Sequence, residues 1–187
     1  SDGTPSCADN LGNTYTANGK VWDSFNGQGG AMFYAPVTIG GACTVTVTHP
    51  NTAYRRLGIM EISGLDASPS DGNAIQVQDQ PGTGTDAHTS GNLGTTVTDF
   101  LFGCHQNIGE ADPSAGTVTQ GTNYTAAEKT GTEIGMMEYR VSVPAGTVAA
   151  TFTRSNDIRP INGLMAFKEG GGAVAPAVRR FWGGFRR

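Results

Sequence analysis

Apolar residues alternate with threonine and other polar residues in several short runs of this chain. In the clearest run, residues 43–48, Val45 and Val47 alternate with three threonines. A period of two places alternate side chains on opposite faces of a strand, so each run predicts a strand with one face turned inward. About nine strands are predicted, at residues 13–22, 31–38, 43–48, 56–62, 74–78, 95–102, 137–143, 148–153 and 164–167.

Glycine, asparagine, aspartate and proline separate these runs and predict turns between them. Residues 66–93 have the weakest pattern and predict long surface loops. Helix is almost absent: Thr125 and Glu128 have the spacing of a capping box, which predicts one helical turn over 125–129. Many short strands with almost no helix predict an all-β, antiparallel two-layer sandwich. A jelly roll is the preferred topology, and an immunoglobulin-like sandwich is the runner-up.

Composition adds a division of charge along the chain. Charged residues make up 15% of the 187 residues, and 28 residues are glycine. The formal net charge is −4, but residues 173–187 hold four arginines and no acid. Residues 1–172 therefore carry eight bases against sixteen acids, a formal charge of −8. We divide the chain into a lead-in (1–6), one β-sandwich domain (7–169) and a glycine hinge with a basic aromatic C-terminal arm (170–187).

The arm combines residue types that dominate protein interfaces. Gly170, Gly171 and Gly172 predict a flexible joint, and Pro176 favours an extended chain over a helix. Aromatic anchors follow, together with arginines that can bind carboxylates in bidentate fashion. The predicted partner-binding residues are Arg179, Arg180, Phe181, Trp182, Phe185, Arg186 and Arg187.

These residues predict that the partner is another protein subunit, and the alternative is an arm that packs on its own domain or stays in solvent. The acidic body of a neighbouring copy is one target for a basic arm, and a capsid or cell-envelope component is another. Nucleic acid is disfavoured, because binding to phosphates needs a basic surface on the body. No run of eighteen apolar residues occurs, so the sequence predicts no membrane span. We expect a structural subunit of an extracellular filament, a cell surface or a virion.

Several motifs together resemble a widespread, poorly characterised group of surface domains encoded by bacteria and bacteriophages. They are DNLGNTYT at 9–16, FYA at 33–35, GGACTVTVT at 40–48, IMEISGL at 59–65, EY at 138–139, PAGT at 144–147 and MAFK at 165–168. The resemblance covers roughly residues 7–168 and leaves the arm outside. It implies a β-sandwich on a cell or particle surface and identifies no catalytic residues.

Catalytic motifs are absent from the sequence, which has no Gly-x-Ser-x-Gly elbow, no His-Glu-x-x-His and no phosphate-binding glycine loop. Glu61, Glu138 and Asp99 could act as paired glycosidase carboxylates only if a cleft brought them together. We therefore expect no enzymatic activity and no cofactor. Surface positions are predicted for all three histidines, His49, His88 and His105.

Carbohydrate binding or adhesion is the alternative function, because aromatic side chains on one sheet face can stack on sugar rings. The competing interpretation is that aromatic residues in strands are core residues or cross-strand pairs. The candidate aromatic residues are Trp22, Tyr34, Tyr54, Tyr124 and Tyr139.

Two further sets of residues have the chemistry of binding sites or cross-links. Asp66, Asp71 and Asn73 carry oxygen ligands of the kind that Ca²⁺ prefers, but without EF-hand spacing, so a solvated turn is the favoured interpretation. The three cysteines allow at most one internal disulfide, in any of three pairings. For most of Cys7, Cys43 and Cys104, a buried free thiol is favoured over one bridge between neighbouring strands.

Overall fold

The computed structural model describes residues 3–25, 27–49, 56–78, 86–107, 117–129, 135–155, 159–171 and 179–184. Within these ranges the protein is all-β and contains no helix, which confirms the predicted fold class. The strands are β1 (Ser6–Asp9), β2 (Thr16–Asp23), β3 (Gln28–Tyr34), β4 (Val45–Thr48), β5 (Arg56–Glu61), β6 (Leu65–Val77), β7 (Asp86–Thr89), β8 (Leu93–Gly94), β9 (Asp99–Asn107), β10 (Val118–Gln120), β11 (Thr125–Lys129), β12 (Gly135–Val143), β13 (Thr147–Val148), β14 (Thr151–Arg154), β15 (Pro160–Glu169) and β16 (Arg179–Gly184).

A five-stranded antiparallel sheet with the order β11-β12-β9-β15-β6 forms the centre of the molecule. Alternate residues of β9 face opposite sides of this sheet, so Leu101 contributes to one core and Phe102 to the other. On β15, Leu164 likewise contributes to the first of these cores and Met165 to the second. Because both faces are covered, β15 is buried without interruption from residue 160 to residue 167.

Two hydrophobic cores lie on the two faces of the central sheet. The first core includes residues of β10, β13 and β14, and the second includes Met32 of β3, with Met60 of β5 packed against it. The molecule is therefore a layered antiparallel sandwich, while the jelly-roll connectivity stays a prediction. The buried residues of the first core are Leu101, Val118, Tyr124, Met136, Val143, Val148, Ala150, Phe152, Leu164 and Ala166. Those of the second core are Met32, Phe100, Phe102, Ala127, Met137, Met165 and Phe167.

The layers approach the central sheet most closely at glycines. A Cβ atom on Gly163 of β15 would lie 2.7 Å from Met32 Sδ and 3.0 Å from Cys104 Sγ. A Cβ atom on Gly103 of β9 would lie 2.8 Å from Glu138 Cγ. Any larger residue at these two positions would push the neighbouring side chains away, so glycine sets the spacing of the layers here.

Several predicted elements are corrected by the structure. Residues 66–93 were expected to form long loops apart from the strand 74–78, but their described part contains β7, the start of β8 and most of the thirteen-residue β6. Its pairing with β15 has register shifts, and Gly72 within it has a φ of 122°, so the period of two is interrupted. Residues 125–129, predicted as a helical turn, form β11 and pair with β12. Sixteen strands occur in the described residues, against about nine predicted.

Candidate assembly interface

The described part of the predicted arm is β16, which pairs with β5 in an antiparallel ladder. The register runs over six residue pairs, from Arg179 opposite Glu61 to Gly184 opposite Arg56. Aromatic residues at positions 181 and 182 favour the extended conformation. A ladder of this kind is held by main-chain hydrogen bonds, which any extended segment of suitable register can supply.

The ladder changes the expectation for the arm. In the single chain, β16 adds to β5 of the same molecule, which agrees with the alternative of an arm that packs on its own domain. Four predicted partner-binding residues lie in β16: Arg179, Arg180, Phe181 and Trp182. Phe185, Arg186 and Arg187 lie outside the described residues. Binding of all seven to a neighbouring subunit stays a prediction.

β5 is attached to the body through one face and pairs with one strand. Met60 is half-buried and packs against the second core, as does Ile62 just after the strand. Among the described residues, β5 forms a ladder with β16 only. A strand with its side chains anchored and its backbone paired on one edge is a suitable receiver for an added strand.

The chain leaves the central sheet close to the end of β5. Glu169 at the end of β15 pairs with Leu65, and the Gly170 backbone N–H donates to the Gly64 carbonyl at 2.7 Å. Gly64 is three residues from Glu61, the last residue of β5. The eight residues 171–178 join this exit point to β16.

The carboxylates considered for glycoside hydrolysis do not form a pair. Glu138 lies opposite Gly103 in the β12–β9 ladder, four residues from Asp99 along β9. Four residues of a strand span about 13 Å, which exceeds the 5–10 Å between the carboxyl groups of glycosidases. Glu61 is exposed and lies on β5, outside the central sheet. The arrangement gives no support to acid–base hydrolysis by these residues.

The sandwich interior contains polar residues that the sequence interpretation missed. His88 and His105, predicted at the surface, are each 1% exposed, and His49 is half-buried. The Nδ1 atom of His105 lies 2.8 Å from Asn162 Oδ1. Burial lowers the pKa of His105 to about 3, so its ring is neutral at pH 7. Extending the alternation of β9 beyond residue 102 would have placed residue 105 on the same inward face as Leu101.

The candidate sugar-binding aromatics do not share one face. Tyr124 is buried in the first core, whereas Tyr34 and Tyr139 pack against the second core on the opposite side of the central sheet. Trp22 lies on β2, and Tyr54 is outside the described residues. Tyr34 does line a cleft of about 360 Å³ beside Lys168. A second cleft, of about 320 Å³, is lined mainly by threonines and by residues of β7, β10 and β14.

Each of the three candidate Ca²⁺ ligands forms hydrogen bonds with a different residue of the protein. Asp66 accepts a hydrogen bond from the Ser68 backbone N–H at 2.8 Å, while Asp71 accepts two from Thr96. The Asn73 amide donates to Asn18 at 2.9 Å. In the part of the chain that the structure describes, no three His, Cys, Asp or Glu residues are grouped to hold a metal ion.

All three cysteines are free thiols in the structure. Cys7 and Cys104 are half-buried and Cys43 is exposed, so the burial expected for most of the three cysteines is only partial. The Cys43 thiol donates to Asp9 Oδ2 at 3.7 Å. The Asp9 carboxylate also accepts hydrogen bonds from the backbone N–H groups of Leu11 and Gly12, so it organises the turn that follows β1.

The described ranges contain no helix long and apolar enough to cross a membrane. Comparison with models of known protein families, with curated proteins and with solved structures finds no match for this chain.

Proposed function

We propose that this protein is a non-enzymatic structural subunit of an extracellular filament, a cell surface or a virion, and that its C-terminal strand attaches it to a neighbouring subunit. The concentration of arginine and aromatic residues at 179–187 carries this proposal. The pairing of β16 with β5 lies within one chain and supports the proposal only in that this segment can add to a sheet edge as a strand. The proposed setting is the one that the sequence resemblance to bacterial and bacteriophage surface domains implies.

Charge and residue type support attachment through this strand. Residues 1–172 carry a formal charge of −8 and residues 173–187 a charge of +4, so the arm of one subunit is attracted to the body of another. Arginine, tryptophan and phenylalanine are enriched at the centres of protein interfaces. A main-chain ladder supplies affinity, and these side chains supply register and specificity.

Deletion of residues 173–187 tests the proposal. We expect the truncated chain to keep its β-sheet circular dichroism, because both hydrophobic cores lie in residues 32–167. We also expect it to lose assembly in sedimentation and negative-stain microscopy. A truncated chain that assembles like the full-length protein would contradict the proposal.

Two adjacent proline substitutions provide a matched control for the deletion. In an antiparallel pair, alternate residues direct their N–H groups toward the partner strand, and proline has no N–H group. One of Phe181→Pro and Trp182→Pro should therefore weaken assembly much more than the other, although both lose one aromatic side chain. Equal effects would point to the side chains rather than the ladder.

Carbohydrate binding is not advanced as a second function. The candidate aromatics are divided between two faces of the central sheet, and Tyr124 is buried.

A further inference from the structure

We infer that Asp71 and Asp99 together bind a divalent cation, and that Ca²⁺ is the ion that fits their chemistry best. Asp71 belongs to β6 and Asp99 begins β9, and in the central sheet these two strands lie on either side of β15. The inference goes beyond the proposed function and does not depend on it.

A β-bulge in β6 determines where the Asp71 side chain lies. Ser70 pairs with Phe167 of β15 and Gly72 pairs with Ala166, so Asp71 is the extra residue between two ladder pairs. A bulge of this kind bends the strand and redirects a side chain. The Asp71 carboxylate accepts hydrogen bonds from the Thr96 backbone N–H at 2.6 Å and from the Thr96 hydroxyl at 2.7 Å. These bonds fix the carboxylate just before the start of β9.

Asp99 is a buried carboxyl group without a hydrogen-bond donor. Its exposed fraction is 0%, and neither of its oxygens accepts a hydrogen bond of good geometry from the described residues. The Asp71 carboxyl lies within hydrogen-bonding reach of it, but two ionised carboxylates can only accept. Burial of a carboxylate is costly unless a cation or donors compensate for the lost water. The pair therefore needs a positive charge at the point where the two groups meet.

The protein does not supply this charge from the residues that the structure describes. No lysine or arginine among them forms an ion pair with either carboxylate, and Lys168 acts on Asp71 only from a greater distance. Glu169 adds negative charge near Asp99. Burial, and then the charge of Asp71, raise the pKa of Asp99 to about 6, and the nearby Thr95 hydroxyl offsets these effects only in part. At pH 7 most of the protons have left Asp99, which leaves a metal cation as the counter-charge.

The available ligands are hard oxygen atoms, the type that Ca²⁺ prefers. Besides the two carboxylates, the Thr95 hydroxyl lies beside Asp99 and accepts from the Gly146 backbone N–H at 3.2 Å. Asp71 is half-buried, so the ion has access from solvent and water can complete its six to eight ligands. Because the site has two carboxylates instead of the larger number in tight sites, we expect a Kd of roughly 10⁻⁴–10⁻³ M.

Thermal unfolding of the full-length chain at pH 7.5 tests the inference. The midpoint is compared between 10 mM calcium chloride and sodium chloride of the same ionic strength with a chelator, so that general screening is equal in both. Binding to the folded state alone should raise the midpoint by about 3–10 °C in calcium.

Three substitutions locate the site. Asp99→Asn and Asp71→Asn should each lose most of the calcium shift. Without calcium, Asp99→Asn should melt no lower than the wild type, because it removes an uncompensated buried charge and its amide can donate to Asp71. Asp66→Asn is the matched control: Asp66 is an exposed carboxylate five residues from Asp71 on the same strand, and its variant should keep the full shift.

The results separate this site from the alternatives. An unchanged wild-type midpoint in calcium would mean that a proton neutralises the pair, and the inference would be wrong. Equal calcium shifts in the wild type and in Asp99→Asn would place calcium elsewhere and also overturn it. If Asp99→Asn does not fold, Asp71→Asn at the half-buried side of the site gives the same test. Equilibrium dialysis of the wild type should find one calcium ion per chain that Asp71→Asn does not retain.

Discussion

At the scale of single residues, Glu138 is a carboxyl group in the interior of the sandwich. Its side chain is fully buried, and its Oε2 atom accepts a hydrogen bond from the Gly121 backbone N–H at 2.8 Å. Burial raises the pKa of Glu138 to about 8, so the neutral form predominates at pH 7. The missing side chain of Gly103 leaves the space that this carboxyl group occupies.

The raised pKa predicts how stability depends on pH. The folded chain keeps a proton on Glu138 that the unfolded chain releases above its pKa of 4.5. The stabilisation is therefore complete below pH 4.5 and is lost as the pH rises through about 8. Relative to Glu138→Gln, the wild type should lose on the order of 5 kcal/mol of unfolding free energy between pH 4 and pH 9.

Urea unfolding of the wild type and of Glu138→Gln between pH 4 and pH 9 measures the difference in their free energies of unfolding. Asp66→Asn, which changes an exposed carboxylate outside both cores, is the matched control for the loss of one acidic side chain. If the free energy of unfolding of Glu138→Gln has the same pH dependence as that of the wild type, Glu138 is ionised in the folded state and the prediction is wrong.

At the scale of elements, neighbouring strands determine what the sequence pattern means. Alternation predicted 56–62 and 137–143 well, because β5 and β12 begin within two residues of these ranges. The end of β6 was predicted as the strand 74–78, but residues 65–73 were missed because serine, proline and glycine interrupt their alternation, and the pairing with β15 contains register shifts there. Residues 125–129 show the opposite error: a local helix signal is overridden by pairing with β12.

The contact of the β2–β3 hairpin with the central sheet predicts the effect of Gly163→Ala. The added methyl group would meet Met32 Sδ at 2.7 Å and Cys104 Sγ at 3.0 Å, so these two side chains must shift within a packed core. We expect a loss of about 1–3 kcal/mol in the free energy of unfolding, measured by urea titration.

Two controls accompany this substitution. Gly171→Ala has open space around its Cβ position and should change stability by less than about 0.5 kcal/mol. Adding Met32→Val to Gly163→Ala should recover part of the loss, since it removes the sulfur atom. A double variant whose loss equals the sum of the two single losses would show that this contact is not the cause.

At the scale of the whole molecule, the division of charge predicts how assembly responds to salt. Exposed charges interact over a screening length of about 10 Å at 0.1 M salt and about 3 Å at 1 M. Assembly driven by an arm of +4 and bodies of −8 should weaken as sodium chloride rises from 0.05 to 0.5 M. Sedimentation velocity at several sodium chloride concentrations measures how the degree of assembly depends on salt.

Removing the positive charges of the arm separates the electrostatic contribution to assembly from the contribution of the main-chain ladder. Replacing Arg179, Arg180, Arg186 and Arg187 with glutamine should weaken assembly at least tenfold at 0.05 M salt and flatten its salt dependence. Lys20→Gln together with Lys168→Gln, on the body, should leave the salt dependence in place. Assembly that strengthens with salt for the wild type would contradict an electrostatic contribution.

The sequence by itself determined the fold class and the character of the arm. Alternation at 43–48, 56–62 and 137–143 requires a strand with an inward face, whatever lies beside it. The concentration of arginine and aromatic residues at 179–187 is likewise a property of composition. Both follow from residues that are neighbours in the chain.

The tertiary structure decided everything that depends on which strands become neighbours. It buried His105 and Glu138, divided the tyrosines between two cores and turned 125–129 into β11. It also paired β16 with β5, more than a hundred residues away in sequence. Burial and pairing arise from contacts between distant segments, and local spacing carries no record of which segment will be the partner.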